Sequence, residues 1–351
     1  MDYSEIAYKI VNFVLNLKAG ESVLISSEIH NVFDNNEPLA QIPFLEELAL
    51  IVRKNKGLPI LDISTENLHK RFFEEILEDE ATISTELLNR WLDSADYFID
   101  LGWRSNPAFY KSIPERSFKR LNLMNKDFEL LFEKKNKKLI LLGYPTIGLA
   151  KYFNLDHHLL KKNYFQALNI NYYDLKKRTL LLNETLKKHD KWNVNNESST
   201  LSFEFAAESK YYYGEIHNDS IITLPTGYWT RLINSETLNG SFYCDQVYHD
   251  KIVWKNIKCV FEDGKLVSVE SEAQQPHLNL LRTIFFDNIE YILLNIGLNH
   301  SIKEKCFYHA FDSIKYKNVA LKIKTSKGQL IALSDNSSVF YDKGKNILDD
   351  I

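Results

Sequence analysis

Apolar positions at helical spacing open the chain. Ile6, Ile10, Val11, Phe13, Val14 and Leu17 fall on one stripe and predict an amphipathic helix over residues 3–17. Lys18-Ala19-Gly20-Glu21 ends it, because glycine accepts the left-handed turn that closes a helix. Short apolar runs then alternate with helical spacing. Val23 to Ser27, Leu58 to Ile63, Tyr97 to Leu101 and Lys138 to Pro145 read as strands. Phe44 to Asn55, residues 66–77, a stretch ending near Trp91 and residues 115–133 read as helices. This alternation predicts a mostly parallel sheet with helices on both faces. Leu149 to Lys188 reads as helical with a break near Asn169-Ile170-Asn171, and Asp156-His157-His158 falls near a helix start. Neighbouring histidines on a helix point about 100° apart, so this pair reads as surface rather than as a metal site.

The pattern changes after the polar stretch Lys191 to Ser199, which is taken as a boundary between domains 1–190 and 191–351. Thr200 to Phe205 alternates with period two, as a half-buried strand does. Ile221 to Thr223, Phe242 to Gln246, Lys251 to Trp254 and Lys258 to Glu262 read as strands, and Asp263-Gly264 has the chemistry of a two-residue hairpin turn. Leu278 to Leu294 reads as a helix with Leu280, Ile284, Ile289 and Leu293 inward. Val319 to Ile323, Gln329 to Leu333 and Ser338 to Asp342 complete the strands. The expected class is α/β: an N-terminal, mostly parallel sheet flanked by helices, followed by a C-terminal mixed α/β domain.

A length of 351 residues suits about two domains. With 44% hydrophobic and 26% charged residues the composition is that of a globular protein. A net charge of -4 argues against a nucleic-acid partner, and the basic runs near Lys134 and Lys176 read as solvated faces. Cys244, Cys259 and Cys306 are far apart and form no Cys-x-x-Cys pair, which points to a reducing compartment. The opening residues carry no basic leader, and no uncharged run reaches the roughly 18 residues of a membrane span. The expectation is a cytoplasmic protein that does not enter a membrane.

Nucleotide-binding glycine loops and a Gly-x-Ser-x-Gly elbow are both missing from the sequence. Ligands of parallel sheets sit beyond the carboxyl ends of strands, where Ser26, Asp100 and Gly143 to Thr146 are expected, although ordinary loop chemistry explains them as well. Cys244-Asp245 with His249 suggests a thiolate–imidazole pair, against the plainer reading of a buried, inert cysteine on a strand. Tyr211-Tyr212-Tyr213, Tyr228-Trp229, Phe242-Tyr243 and Tyr248 form an aromatic cluster. It reads either as sheet packing or as a groove with aromatic walls suited to a peptide.

The run Ile221 to Thr230, with Leu224-Pro225-Thr226-Gly227 at its centre, resembles the metal-binding turn of the M29 aminopeptidases, a family of metallopeptidases. The opening helix with its Leu-Lys-Ala-Gly-Glu stop, the Phe261 to Val267 hairpin and Asn295-Ile296-Gly297-Leu298-Asn299 are similar to that family in the same order. The resemblance implies the aminopeptidase-like fold, a dimer, and two metal ions held by two glutamates, two histidines and an aspartate. The ligands do not carry over. Tyr228 follows the turn in place of glutamate, about Asn295 stands at the second glutamate, Val319-Ala320-Leu321 lies where a histidine precedes a strand, and Phe340-Tyr341-Asp342 keeps only Asp342 of a His-x-Asp. The ring-cleaving 2,5-dihydroxypyridine dioxygenases are also similar in scaffold, but Phe340 breaks their iron triad too. The expectation is therefore a chain without metal or other cofactor that binds a peptide or precursor peptide and assists its maturation in a peptide natural-product pathway, as a homodimer or with pathway enzymes. Tyr228, Trp229, Tyr243, Asn295 and His300 are the candidate substrate-binding residues, and Asp245, His249 and Asp342 the candidate catalytic ones. The alternative is an active enzyme with relocated chemistry, either a metal-free peptide-modifying enzyme or an aminopeptidase-like or ring-cleaving dioxygenase-like one using one metal on His249, His300 or His309 with Asp312.

Overall fold

A computed structural model describes residues 2–29, 41–65, 67–68, 71, 85–102, 107, 128, 130–186, 191–195, 198–206, 212–213, 220–249, 252–272, 279, 282–283, 289–302, 315, 317–325, 330–335, 339–342 and 345–346. In chain order the helices are α1 (Tyr3–Lys9), α2 (Ile42–Lys54), α3 (Thr85–Asp93), α4 (Ile147–Tyr152), α5 (His157–Leu168) and α6 (Tyr172–Leu186). The first strands are β1 (Ser22–Ile29), β2 (Leu58–Thr65), β3 (Tyr97–Asp100), β4 (Lys138–Leu141), β5 (Lys191–Asn195), β6 (Thr200–Glu204), β7 (Tyr212–Tyr213) and β8 (Ile221–Thr223). After them come β9 (Tyr228–Leu232), β10 (Asn239–His249), β11 (Ile252–Glu262), β12 (Lys265–Glu270), β13 (Ile289–Gly297), β14 (Val319–Thr325), β15 (Leu330–Asp335), β16 (Val339–Asp342) and β17 (Lys345–Asn346). No helix among the described residues is long and apolar enough to cross a membrane.

Two compact units divide the chain: Met1–Tyr172 with Glu215–Pro225, and Tyr173–Gly214 with Thr226–Ile351. The polar stretch after residue 190 is not where they part. The chain crosses from one unit to the other early in α6, and β8 belongs with the first unit.

The first unit is built on a parallel five-stranded sheet in the order β2-β1-β3-β4-β8. Leu24, Phe98 and Leu139 share one face through the register of β1, β3 and β4, and pack with Leu92 and Phe132. Val23, Ile25, Ile99 and Ile140 are buried on the other face, where α2 meets β1. Both faces are covered, so the strands read as continuous apolar runs rather than alternating ones. Asp2 caps α1 by accepting from the Ser4 and Glu5 amides, and the helix continues as a π turn over Ile10–Val14. Tyr3 and Phe44 both pack on Phe165, which joins α1, α2 and α5. The expected helix over Leu149 to Lys188 breaks twice, first at Phe153–Asp156, where Asp156 caps α5 by accepting from the Leu159 amide.

The second unit holds two antiparallel sheets: β12-β11-β10-β6-β5-β16-β17 and β15-β14-β13-β9-β7. They meet through a shared core. Phe205 packs edge-on against Trp229 at 5.6 Å and against Phe203 at 5.3 Å, and β10 lies against β15. The Asp263-Gly264 turn joins β11 to β12 with φ of 45° and 75°, as the two-residue hairpin requires. Two expectations fail here. The polar stretch from Lys191 does not separate the two units, because it begins as β5, which alternates and buries Trp192 and Val194. Leu278 to Leu294 is not one helix, because its last residues enter β13. Ile289 and Leu293 satisfy a helical period, but Ile292, Leu294 and Ile296 alternate onto the core. Pairing with β9 on one side and β14 on the other decides for strand. Leu280 and Ile284 lie outside the described residues.

Candidate functional site

The central strand β13 sets the site. Its pairing places Tyr228 opposite Gly297 and Thr230 opposite Asn295 on β9, and Ala320 opposite Asn295 and Lys322 opposite Leu293 on β14. Directly opposed residues point to the same side of a sheet. Tyr228, Thr230, Asn295, Ala320 and Lys322 therefore share one face, while Trp229, Ile296 and Leu321 share the other. The second of these is the core. The first is polar: Thr230 and Asn295 are buried, Tyr228 and Lys322 half-buried.

Side-chain and backbone contacts fix this face. The Thr230 hydroxyl donates to the Leu294 carbonyl at 2.8 Å. The Lys322 ammonium sits 4.7 Å from the centre of the Tyr228 ring, within the range of a cation–π contact. At the head of β9, the Leu298 amide donates to the Gly227 carbonyl at 2.7 Å. Asn299 is fully buried beside it; its side-chain amide donates to the Thr226 carbonyl at 2.9 Å and its oxygen accepts from the Ser301 amide at 3.1 Å. Thr226 and Gly227 are thus tied to the end of β13 by backbone and by one asparagine.

The structure brings together Tyr228 and Asn295 of the residues expected to bind substrate. Trp229 is a correction: it is fully buried on the core face, packed against Phe205, and offers no wall to a groove. Tyr243 lies on β10 in the other sheet and donates to the Asn256 side chain. His300 is exposed just beyond β13, with Arg178 of α6 3.4 Å from its Nδ1. Asp245 and His249 on β10 and Asp342 on β16 all belong to the seven-stranded sheet, so they do not share the face of Tyr228 and Asn295. His309 and Asp312 lie outside the described residues. Cys244 and Cys259 are buried and not in a disulfide; burial, and then the neighbouring Cys244, push the Cys259 thiol up. The suggested thiolate at Cys244 has no support in so apolar a setting. Phe242 is fully buried as well, so the aromatic cluster is in part sheet packing.

Sequence reasoning missed Lys322 and Thr230. Val319 to Lys324 alternates apolar and polar from Leu321 onward, which marks Lys322 as facing away from the core. Only the register shows that it faces Tyr228.

At the carboxyl edge of the first unit's sheet, where the strand order reverses between β1 and β3, Ser26 and Asp100 are opposed in register. The Ser26 hydroxyl lies 3.4 Å from the Asp100 carboxylate, which accepts from the Gly102 amide at 2.8 Å, and Ser27 donates to Gln41 at 2.7 Å. These groups tie the local loops together, as loop chemistry predicts. Near Gly143, the buried Tyr164 hydroxyl donates to the carbonyls of Leu142 and Gly143, and burial raises it well above the usual phenol range.

The two metal ions implied by the resemblance do not fit the face described. It presents a phenol, a hydroxyl, an amide and an ammonium, whereas a divalent ion calls for carboxylates and imidazoles and is repelled by an ammonium. Among the described residues no three histidines, cysteines or carboxylates are grouped to hold an ion.

The fold is similar to that of wild-type AmpT from Thermus thermophilus, with a TM-score of 0.64 at 12% sequence identity over 98% of this chain and 96% of that one. It is also similar to the 2,5-dihydroxypyridine dioxygenase from Pseudomonas putida KT2440, with a TM-score of 0.57 at 11% identity over 98% of this chain and 94% of that one. At such identities the likeness is one of fold. No protein-family model matches the sequence, and no curated protein matches it.

Proposed function

We propose that this chain binds a peptide on the face of Tyr228, Asn295 and Lys322 and assists its maturation without a resident metal, in a peptide natural-product pathway. The observation that carries the reading is the Lys322 ammonium held over the Tyr228 ring, where a metallopeptidase needs an acidic donor set. A half-buried aromatic ring beside an ammonium suits a peptide, which offers carbonyls and apolar side chains together. The similarity of fold to AmpT, an aminopeptidase, supports a peptide over a small aromatic ring. The unit acts as a homodimer or with pathway enzymes.

Isothermal calorimetry tests this with short peptides, including the product of any short reading frame beside the gene. Binding at one site per chain is the expected result, with no stoichiometric metal by elemental analysis of protein purified without chelator. A panel that gives no heat of binding, or an ion recovered at one or more per chain, counts against the reading.

A further inference from the structure

The outer strand of the parallel sheet is open along one side. β2 stands last in the order β2-β1-β3-β4-β8 and pairs over its eight residues with β1. The Leu58 amide donates to the Glu21 carbonyl at 2.9 Å, so the backbone groups of Leu58, Ile60, Asp62 and Ser64 turn toward β1. Those of Pro59, Leu61, Ile63 and Thr65 turn away from it. Among the described residues no strand pairs with them. Pro59, which has no N–H, falls in the outward set, where an edge strand tolerates it. The strand is also apolar at its surface: Leu58, Leu61 and Ile63 are 54%, 48% and 45% exposed. Edge strands are ordinarily blunted by lysines or bulges. β2 has no lysine, its register with β1 runs without a shift, and Asp62 is its one charge.

Antiparallel pairing of this strand with itself, centred on Ile63, suits every one of these groups. Ile63 then opposes Ile63 of the second copy, and Leu61 opposes Thr65 of the second copy. These are the hydrogen-bonded pairs, and each member carries an N–H. On the other face Asp62 meets the Ser64 hydroxyl. A register centred on Leu61 would bring Pro59 into a hydrogen-bonded pair, and one centred on Asp62 would set two carboxylates directly opposite each other.

We infer that β2 is a self-docking edge: two copies of this chain join β2 to β2, antiparallel about Ile63, and make one continuous sheet from their two parallel ones. This specifies the homodimer of the reading above and does not depend on its peptide.

Sedimentation velocity of the full chain, from about 1 to about 100 µM, should show a dimer. Ile63→Lys sets two ammonium groups against each other at the symmetry axis and should weaken dimerisation at least about tenfold, with the far-UV circular dichroism unchanged. Ile63→Val keeps the apolar pair and should stay dimeric. In hydrogen exchange, β1 protects the amides of Ile60, Asp62 and Ser64 in either state, whereas those of Leu61, Ile63 and Thr65 should be protected only in the dimer. A monomer across that range, or an Ile63→Lys dimer as tight as wild type, overturns the inference. If Ile63→Lys does not fold, wild-type exchange decides: a dimer in which the Leu61, Ile63 and Thr65 amides exchange freely overturns it. Protection that appears only on adding peptide, in a chain that stays monomeric, gives the edge to a peptide and overturns it as well. Calorimetry reads peptide binding separately, so loss of the dimer leaves that binding standing.

Discussion

Gly227 and Asn299 touch so closely that a Cβ placed on Gly227 would lie 2.6 Å from the Cβ of Asn299. Gly227 also has φ of 132°, which side chains rarely adopt. Both conditions have one origin. The turn before β9 seats against the end of β13, and in that position Tyr228 emerges on the polar face.

Gly227→Ala should therefore destabilise the protein by at least about 2 kcal/mol, through backbone strain and the clash together. Urea unfolding, read as a fall in midpoint at constant slope, checks this. Asn299→Ala leaves the Thr226 carbonyl and the Ser301 amide without their partner and should cost about 1–3 kcal/mol by the same measurement.

Trp229 and Tyr228 are neighbours in sequence with opposite expected phenotypes. Trp229→Ala empties a fully buried site between the sheets and should cost about 3–5 kcal/mol, or prevent folding. Tyr228→Phe keeps a ring beneath Lys322 and should change stability by less than about 1 kcal/mol. A large thermal shift for Tyr228→Phe would contradict the assignment of faces.

Asp96 accepts from the Ser22 amide at 2.7 Å and from its hydroxyl at 2.8 Å, and these bonds, the backbone one first, hold its carboxyl below the ordinary value of 3.8. A depressed folded value stabilises the protein above the unfolded value and is lost as pH falls through the folded one. Stability should decline below about pH 4, and Asp96→Asn should flatten that limb. The site is exposed, so the effect is small; unfolding midpoints measured in both proteins from about pH 6 to about pH 2.5 should converge at the acid end.

Cys244 and Cys259 should resist a thiol reagent at about pH 8 in the native protein and react fully once it is unfolded. Carrying out the labelling in a Cys306→Ser background leaves these two as the thiols counted. Rapid labelling of Cys244 in the native state would revive a reactive cysteine beside Asp245.

Local chemistry made much of this fold legible. The strands β1 to β4 could be read because short apolar runs bounded by polar turns keep their meaning whatever they pair with. The Asp263-Gly264 hairpin could be read because left-handed backbone at both turn positions is a property of those two residues, although no local signal shows that a Cβ on Gly264 would meet the Ser235 carbonyl at 1.9 Å. The switch of Ile289–Gly297 from helix to strand could not be read, since its periodicity served both and the flanking strands β9 and β14 made the choice.

Local sequence was enough for the alternating layers of the first unit, the β-rich second unit, and a tyrosine rather than a glutamate after the Leu-Pro-Thr-Gly turn. Only the tertiary structure sent β8 back to the parallel sheet, turned Trp229 into the core, and set Lys322 over Tyr228. Turn geometry and burial pattern are encoded within a few residues. Which strands lie side by side, and in what register, depends on burying distant faces against each other, and that is settled only when the whole sheet forms.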